Sequence, residues 1–246
     1  MGRASLSELI RSDLARYEET YRLRGQAPSK AKIFWESLFF KAGFQAALLY
    51  RLSHWLHQRK LTYLAWFVAR LSITLTGAEI EFNTEIGPGL LIAHPVGIVI
   101  GRGTVIGSHA TIFQGVSLAA KSYHPDEIRE FPRIGNHCFL FARSAVFGGV
   151  RVGDSCVVAA HAVVTKDMPA GALARGVPAE IIANEGCAKI KSWFGSLAPE
   201  PSRFEDMSES GSDLEGRSRR ATSDEPSGQT ARSVSEKREG SGARDE

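Results

Sequence analysis

Residues 79–118 read EIEFNTEIGPGLLIAHPVGIVIGRGTVIGSHATIFQGVSL, and residues 134–164 read IGNHCFLFARSAVFGGVRVGDSCVVAAHAVV. An aliphatic side chain returns at almost every sixth position: Ile80, Ile86 and Ile92, then Ile100, Ile106, Ile112 and Leu118, then Ile134, Leu140, Val146, Val152, Val158 and Val164. That period fits neither an amphipathic helix nor an alternating strand. It fits a hexapeptide β-helix, in which three hexapeptides wind one triangular coil and each coil stacks on the last. Two further columns agree. The residue after the anchor is often small (Gly87, Ala93, Gly101, Gly107, Gly135, Gly153, Ala159), which is expected to let the backbone turn a corner. The residue four after the anchor is compact, as at Thr84, Thr104, Ala110, Cys138, Ser144 and Cys156.

Two interruptions break the period. From Ile92 to Ile100 the spacing is eight, so two residues are inserted where His94-Pro95-Val96-Gly97 sits. From Leu118 to Ile134 it is sixteen, so about ten residues leave the coil as a loop, Ala120 to Arg133. A coil that pairs its own backbone accepts insertions as outward loops at corners, and those loops carry the chemistry of a repeat fold.

Composition divides the rest. Residues 1–76 are rich in Leu, Phe, Trp, Tyr and Arg at helical spacing, residues 77–183 are the repeat, and residues 184–246 read as a short helix followed by a disordered tail. In the front region, Ser5 and Glu8 open a helix from Leu6 to Leu23. A longer helix from Lys30 to His57, bent near Gly43, and a third from Leu61 to Leu75, closed by Gly77, should follow. These helices carry more apolar residues than one small bundle buries, so they either dock on the first coil or pair with another subunit. A last helix is expected from Glu180 to Phe194.

From Ser196 onward lie 12 acidic and 8 basic residues of the chain's 27 and 30, which leaves the rest of the protein with a balance of +7. That suits a phosphate-bearing small ligand, and no Lys/Arg-rich run argues for nucleic acid. Cys138 and Cys156, one coil apart, read as buried apolar thiols and not as a metal or disulfide site. Unpaired thiols, with no apolar signal core in Met1 to Arg11, make the cytoplasm the expected compartment. Leu61 to Leu75 is shorter than the ~20 residues a spanning helix needs. A peripheral membrane face made by Trp55, Trp66, Phe67 and Arg70 is the less favoured reading of it.

Gly43-Phe44-Gln45-Ala46, Tyr50-Arg51-Leu52-Ser53-His54-Trp55-Leu56, the coils, His94, Gln114-Gly115-Val116-Ser117-Leu118 and Gly176-Val177-Pro178-Ala179 together resemble the bacterial serine O-acetyltransferases, from about Lys41 to Ile182. The resemblance implies a mostly β fold, a left-handed parallel β-helix preceded by an α-helical segment. It implies a homotrimer or a dimer of trimers, with acetyl-CoA as co-substrate in the groove between prisms and no metal. It implies His94 as the base that takes the acceptor hydroxyl proton, oriented by a carboxylate fifteen positions earlier, Glu79, where the family has Asp; Glu81 is the neighbouring alternative. Ala142 and Ala160 match backbone contacts to the pantetheine arm, and Lys166 and Arg175 are candidates for the phosphates on charge and place. Where the family anchors serine with an Asp and an Arg-His pair, this chain has Ala93 and Glu130-Phe131. His124 with Arg133 or Arg129 would then hold the acceptor. Loss of those anchors is also what a sugar or exopolysaccharide hydroxyl acceptor would bring, and a non-catalytic β-helix scaffold is the third reading.

Overall fold

The computed structural model describes residues 4–121 and 130–194; the readings made for His124, Arg129 and the tail lie outside them. The first helix, α1 (Leu6–Leu23), opens on the expected capping box, with Ser5 Oγ accepting from Glu8 N–H and Glu8 Oε2 accepting from Ser5 N–H at 2.7 Å. The single helix expected from Lys30 to His57 is two, α2 (Lys30–Phe40) and α3 (Ala42–Gln58), separated by Lys41 in an extended conformation. The break follows from close packing. A Cβ on Gly43 would overlap the carbonyl of Ile92, so α3 takes an axis set by the coil it presses on. Helix α4 (Thr62–Thr76) ends at Gly77, whose left-handed φ of 73° supplies the C-cap.

Fifteen short strands follow, numbered in chain order, and they build three faces. The first face stacks β1 (Glu79–Ile80), β4 (Val99–Ile100), β7 (Ser117–Ala119), β10 (Ala145–Phe147) and β13 (Val163–Val164). The second stacks β2 (Glu85–Ile86), β5 (Val105–Ile106), β8 (Arg133–Ile134) and β11 (Arg151–Val152). The third stacks β3 (Leu91–Ile92), β6 (Thr111–Ile112), β9 (Phe139–Leu140), β12 (Val157–Val158) and β14 (Leu173–Arg175). All these neighbours pair in parallel. Then β15 (Glu180–Ile182) folds back antiparallel on β14, so the last helix, α5 (Glu185–Phe194), begins later than Glu180, where the sequence had placed it.

The register records both insertions. An uninterrupted coil pairs residues 18 apart, as Ala145 with Val163 and Phe139 with Val157. Across the His94 insertion Glu79 pairs with Val99 and Leu91 with Thr111, 20 apart; across the long loop Val105 pairs with Arg133, 28 apart. All thirteen anchors are buried and fill the prism, with Cys138 and Cys156 stacked among them as free thiols.

The small column has a different cause from the one expected. The corner residue with positive φ lies two positions further on, at Gly89, Gly103 and Gly115, and also at His109, His137, Arg143, Ser155 and His161. After the second-face anchors the residue is glycine because the next coil lies directly on it; after the third-face anchors the column also admits Phe113 and Phe141, which stack on each other. A Cβ on Gly107 would come within 2.7 Å of the carbonyl carbon of Gly135, and one on Gly87 within 2.8 Å of that of Gly107. Backbone cannot yield to such an overlap, so the restriction is one of stacking distance.

The front helices close the open end of this stack. In the first coil the amides of Glu79, Glu85 and Leu91 donate forward to the second coil. The groups that face the other way find partners on the helices. His54 Nδ1 donates to Phe82 O at 2.7 Å, Tyr50 Oη to Thr84 O at 2.8 Å, and Tyr17 Oη to Ile92 O at 2.9 Å. Arg51, buried, donates to Ile86 O at 2.5 Å and Gly87 O at 2.6 Å, and its other nitrogens grip Asp13 at 2.9 and 3.0 Å. Asp13 in turn accepts from Leu90 N–H at 2.8 Å. Burial pushes the Asp13 carboxyl above the usual carboxylate range, against the pull of Arg51 and the backbone donors. Arg51→Met, close in volume, leaves the buried Asp13 without its cation and the Ile86 and Gly87 carbonyls without their side-chain donor; breaking a buried pair costs about 3–5 kcal/mol. A clear drop in the urea midpoint is expected, and a midpoint equal to that of the unmodified chain would refute the capping role.

Candidate active site

The two extra residues of the first coil make a turn wedged between its neighbours along the edge where the third face meets the first. Ala93 N–H donates to Ile112 O at 2.9 Å, and Ile98 N–H closes the turn on Pro95 O at 3.1 Å. Below, Gly97 N–H donates to Gly77 O at 2.9 Å; above, Gly115 N–H donates to Val96 O at 3.0 Å. Pro95 is buried, whereas His94 stands exposed on the outside of the turn. The backbone is thus fixed on both sides, and the imidazole is displayed.

That edge continues up the prism. Two residues beyond each third-face anchor come Gln114 after Ile112, Ala142 after Leu140 and Ala160 after Val158, with Arg175 at the top on β14. The structure therefore brings His94, Ala142, Ala160 and Arg175 into one column. At about 4.8 Å per coil, His94 to Ala160 spans roughly 14 Å. His161 N–H already donates to Ala142 O at 3.0 Å, so the free backbone of Ala142 on this edge is limited to its outward surface. Arg175 is exposed and pairs with Glu180 at 3.2 Å, a contact that water weakens.

The other candidates lie elsewhere. Lys166 follows β13 and precedes Met168, which bridges to Val152 on the second face, so it sits on the edge between the first and second faces. The long loop leaves and rejoins the coil on that same edge, and Arg133 opens β8 beside it. Phe131 packs its ring against Gly101 and Gly103 of the preceding coil; a Cβ on Gly103 would be 3.5 Å from it. Glu79 starts the first face directly after the Gly77 turn, with its amide on Ile98 O at 2.8 Å. Its exposed carboxylate lines, with Glu81, Trp66, Arg70 and Ile73, a groove between α4 and the first coil. Among the described residues no hydrogen bond joins Glu79 or Glu81 to His94.

Sequence reasoning passed over two residues of the column. Arg143, exposed and next to Ala142, projects a cation on the same edge. Gln114 buries its side-chain Oε1 with no partner in the described structure, one coil above His94. The signal for both was the register: any residue one or two beyond Ala142 or Ile112 belongs to this edge. Among the described residues no group of three or more His, Cys, Asp or Glu side chains is placed to hold a metal.

Comparison with known proteins bears on both the coil and the site. Residues 133–166 match the family model described as the hexapeptide repeat of succinyl-transferase. A serine acetyltransferase of Helicobacter pylori is 37% identical over 160 residues, which is 65% of this chain and 92% of that protein. The structure of serine acetyltransferase from Brucella abortus in complex with coenzyme A superposes with a TM-score of 0.64 at 25% identity, over 72% of this chain and 67% of that one. Soybean serine acetyltransferase complexed with serine superposes with a TM-score of 0.65 at 26% identity, over 72% and 70%. The coil is thus a left-handed parallel β-helix preceded by helices, and the relative matched over nearly its whole length shows that the chain belongs to the serine acetyltransferase family.

Proposed function

We propose that this chain transfers the acetyl group of acetyl-CoA to the hydroxyl of serine, along the edge that carries His94. The observation that supports it most directly is the column itself. One exposed imidazole on a braced turn is followed, coil by coil, by the small residues Ala142 and Ala160 and then by cations. An edge with a base at its lower end, small residues above it and the cations Arg143 and Arg175 further up suits a thioester on a long arm that ends in phosphates.

The chemistry needs little else. A serine hydroxyl is a poor nucleophile until a base takes its proton as it attacks. An imidazole does this well because its pKa lies near the working pH. His94 takes the hydroxyl proton while the serine oxygen bonds to the thioester carbonyl carbon. As the carbon–sulfur bond breaks, the imidazolium returns that proton to the departing thiolate, giving O-acetylserine and CoA. No bond to the protein forms. Glu79 is proposed to stabilise the imidazolium and fix its tautomer, reaching from the strand just below the turn. Arg143 and Arg175 are proposed to meet the phosphates.

Lys166 and Arg133 lie on another edge of the same prism, so they share a groove with His94 only if a second subunit supplies them. The trimer implied by the family likeness provides that. We therefore assign Arg133, at the exit of the long loop, to the serine carboxylate of the neighbouring site, and Lys166 to its cofactor phosphates, with His124 completing the acceptor site. The cytoplasm, where the buried thiols Cys138 and Cys156 stay reduced, is the inferred compartment. Nothing in the packing of Phe131 favours its use as a sugar platform.

Two experiments test this reading. His94→Ala should lower serine-dependent CoA release by about 10²–10⁴, the usual contribution of a general base, with acetyl-CoA affinity little changed. Glu79→Gln should act in the same direction and less. Near-normal turnover without His94 would place the base elsewhere. Second, mixed assemblies of His94→Ala and Lys166→Ala chains should regain transfer that neither parent shows; no recovery on mixing would put both residues in one chain's own site.

A further inference from the structure

Helix α4 carries more apolar surface than its neighbours cover. Ala65, Val68, Ser72 and Thr76 face inward and are buried. On the outer side Tyr63 is 94% exposed, Phe67 65%, Leu75 61% and Leu64 48%, with Leu71, less exposed at 37%, between them. At about 100° per residue, these side chains take up a broad outward band, with the Glu79–Glu81 groove on the opposite flank beside Trp66 and Arg70. Thr74 is the polar residue within this band and Arg70 lies at its edge; an exposed apolar patch of this breadth ordinarily marks an interaction surface.

Cations gather at the end of the band where α4 opens, and the acids Glu79 and Glu81 lie on the other flank, beside Trp66 and Arg70. From Ser37 to Ala78 the chain holds no Asp or Glu, while Lys41, Arg51, Arg59, Lys60 and Arg70 fall in the same stretch. Arg51 is buried against Asp13. Arg59 and Lys60 are exposed on the turn that opens α4, next to the start of the band, and the Arg59 guanidinium is fixed there by stacking on Trp55 at 3.7 Å. A broad aromatic and aliphatic band edged by cations is the pattern of a helix that lies in the interface of a bilayer. A narrow, self-complementary seam would be the pattern for pairing with another helix. At 15 residues α4 is too short to span, and among the described residues no helix is long and apolar enough to cross a membrane.

We infer that α4 docks this protein on an anionic lipid surface, with Tyr63, Leu64, Phe67, Leu71 and Leu75 in the headgroup–acyl boundary and Arg59 and Lys60 on the lipid phosphates. The band lies on the outer side of α4, away from the flank that meets Glu79, and flotation reads lipid binding while CoA release in solution reads acetyl transfer.

The full-length protein is floated in a density gradient with vesicles of phosphatidylcholine alone or of phosphatidylcholine with phosphatidylglycerol. It should rise with the anionic vesicles, rise at least tenfold less with the neutral ones, and detach partly in high salt. Phe67→Glu with Leu71→Glu should abolish flotation, and Arg59→Glu with Lys60→Glu should reduce it about tenfold, both with serine acetylation in solution unchanged. No flotation on anionic vesicles overturns the inference, as does flotation that ignores these substitutions. A smaller assembly mass for the Phe67→Glu, Leu71→Glu variant, together with a parent chain that never floats, would assign the band to a second copy instead and overturn it equally.

Discussion

A parallel coil cannot finish itself. Every internal coil exchanges its backbone bonds with the coils on either side, but the first has one row of carbonyls and amides that face away from the stack. Each such group, if buried without a partner, costs about 1–3 kcal/mol. The front helices answer that row one group at a time: His54 on Phe82, Tyr50 on Thr84, Arg51 on Ile86 and Gly87, Asp13 on Leu90, Tyr17 on Ile92. The helical segment is therefore the lid of the prism, and its polar residues sit on its buried side because the coil presents unpaired backbone there.

The same constraint places the chemistry. The row ends at Ile92, two residues before His94, and the turn that follows is held below by Gly77 and above by Gly115. A base on a loose loop would lose the positioning that makes proton transfer efficient. Here the insertion is only two residues long, and its two sides are hydrogen-bonded to the cap of α4 and to the next coil. The larger insertion leaves on a different edge, and the division of candidate residues between two edges is what makes a neighbouring subunit part of the proposed site.

Much of this was legible in the sequence, and unevenly so. The anchors, the two interruptions and the stacking of Ala142 under Ala160 follow from a strict period of six, because in a coil the period is the geometry. The capping box at Ser5 is equally local and was equally readable. Lys41 broke the expected long helix because Gly43 must reach Ile92, a contact 49 residues away that no local pattern announces. The small column was read correctly as a column but with the wrong cause, since a stacking distance and a corner both favour glycine. Arg51 was recognisable as part of a motif, but its two carbonyl partners, Ile86 and Gly87, and its carboxylate partner, Asp13, belong to two other segments far from it in sequence. Arg143 and Gln114 are placed by the register, but their types carry no signal of their own, since an arginine or glutamine at a coil corner is ordinarily a solvated surface residue. Whether Glu79 serves His94 depends on side-chain reach, which a spacing of fifteen does not specify.

The most direct test of the lid is amide hydrogen exchange followed along the chain in Arg51→Met and in the unmodified protein. In a stack of repeats each coil leans chiefly on its neighbours, so damage at one end should stay local. The account predicts that residues 82–98, including the His94 turn, exchange faster in the variant, while residues 139–164 keep their protection. Equal protection of residues 82–98 in the two proteins, or an equal loss across every coil, would contradict it.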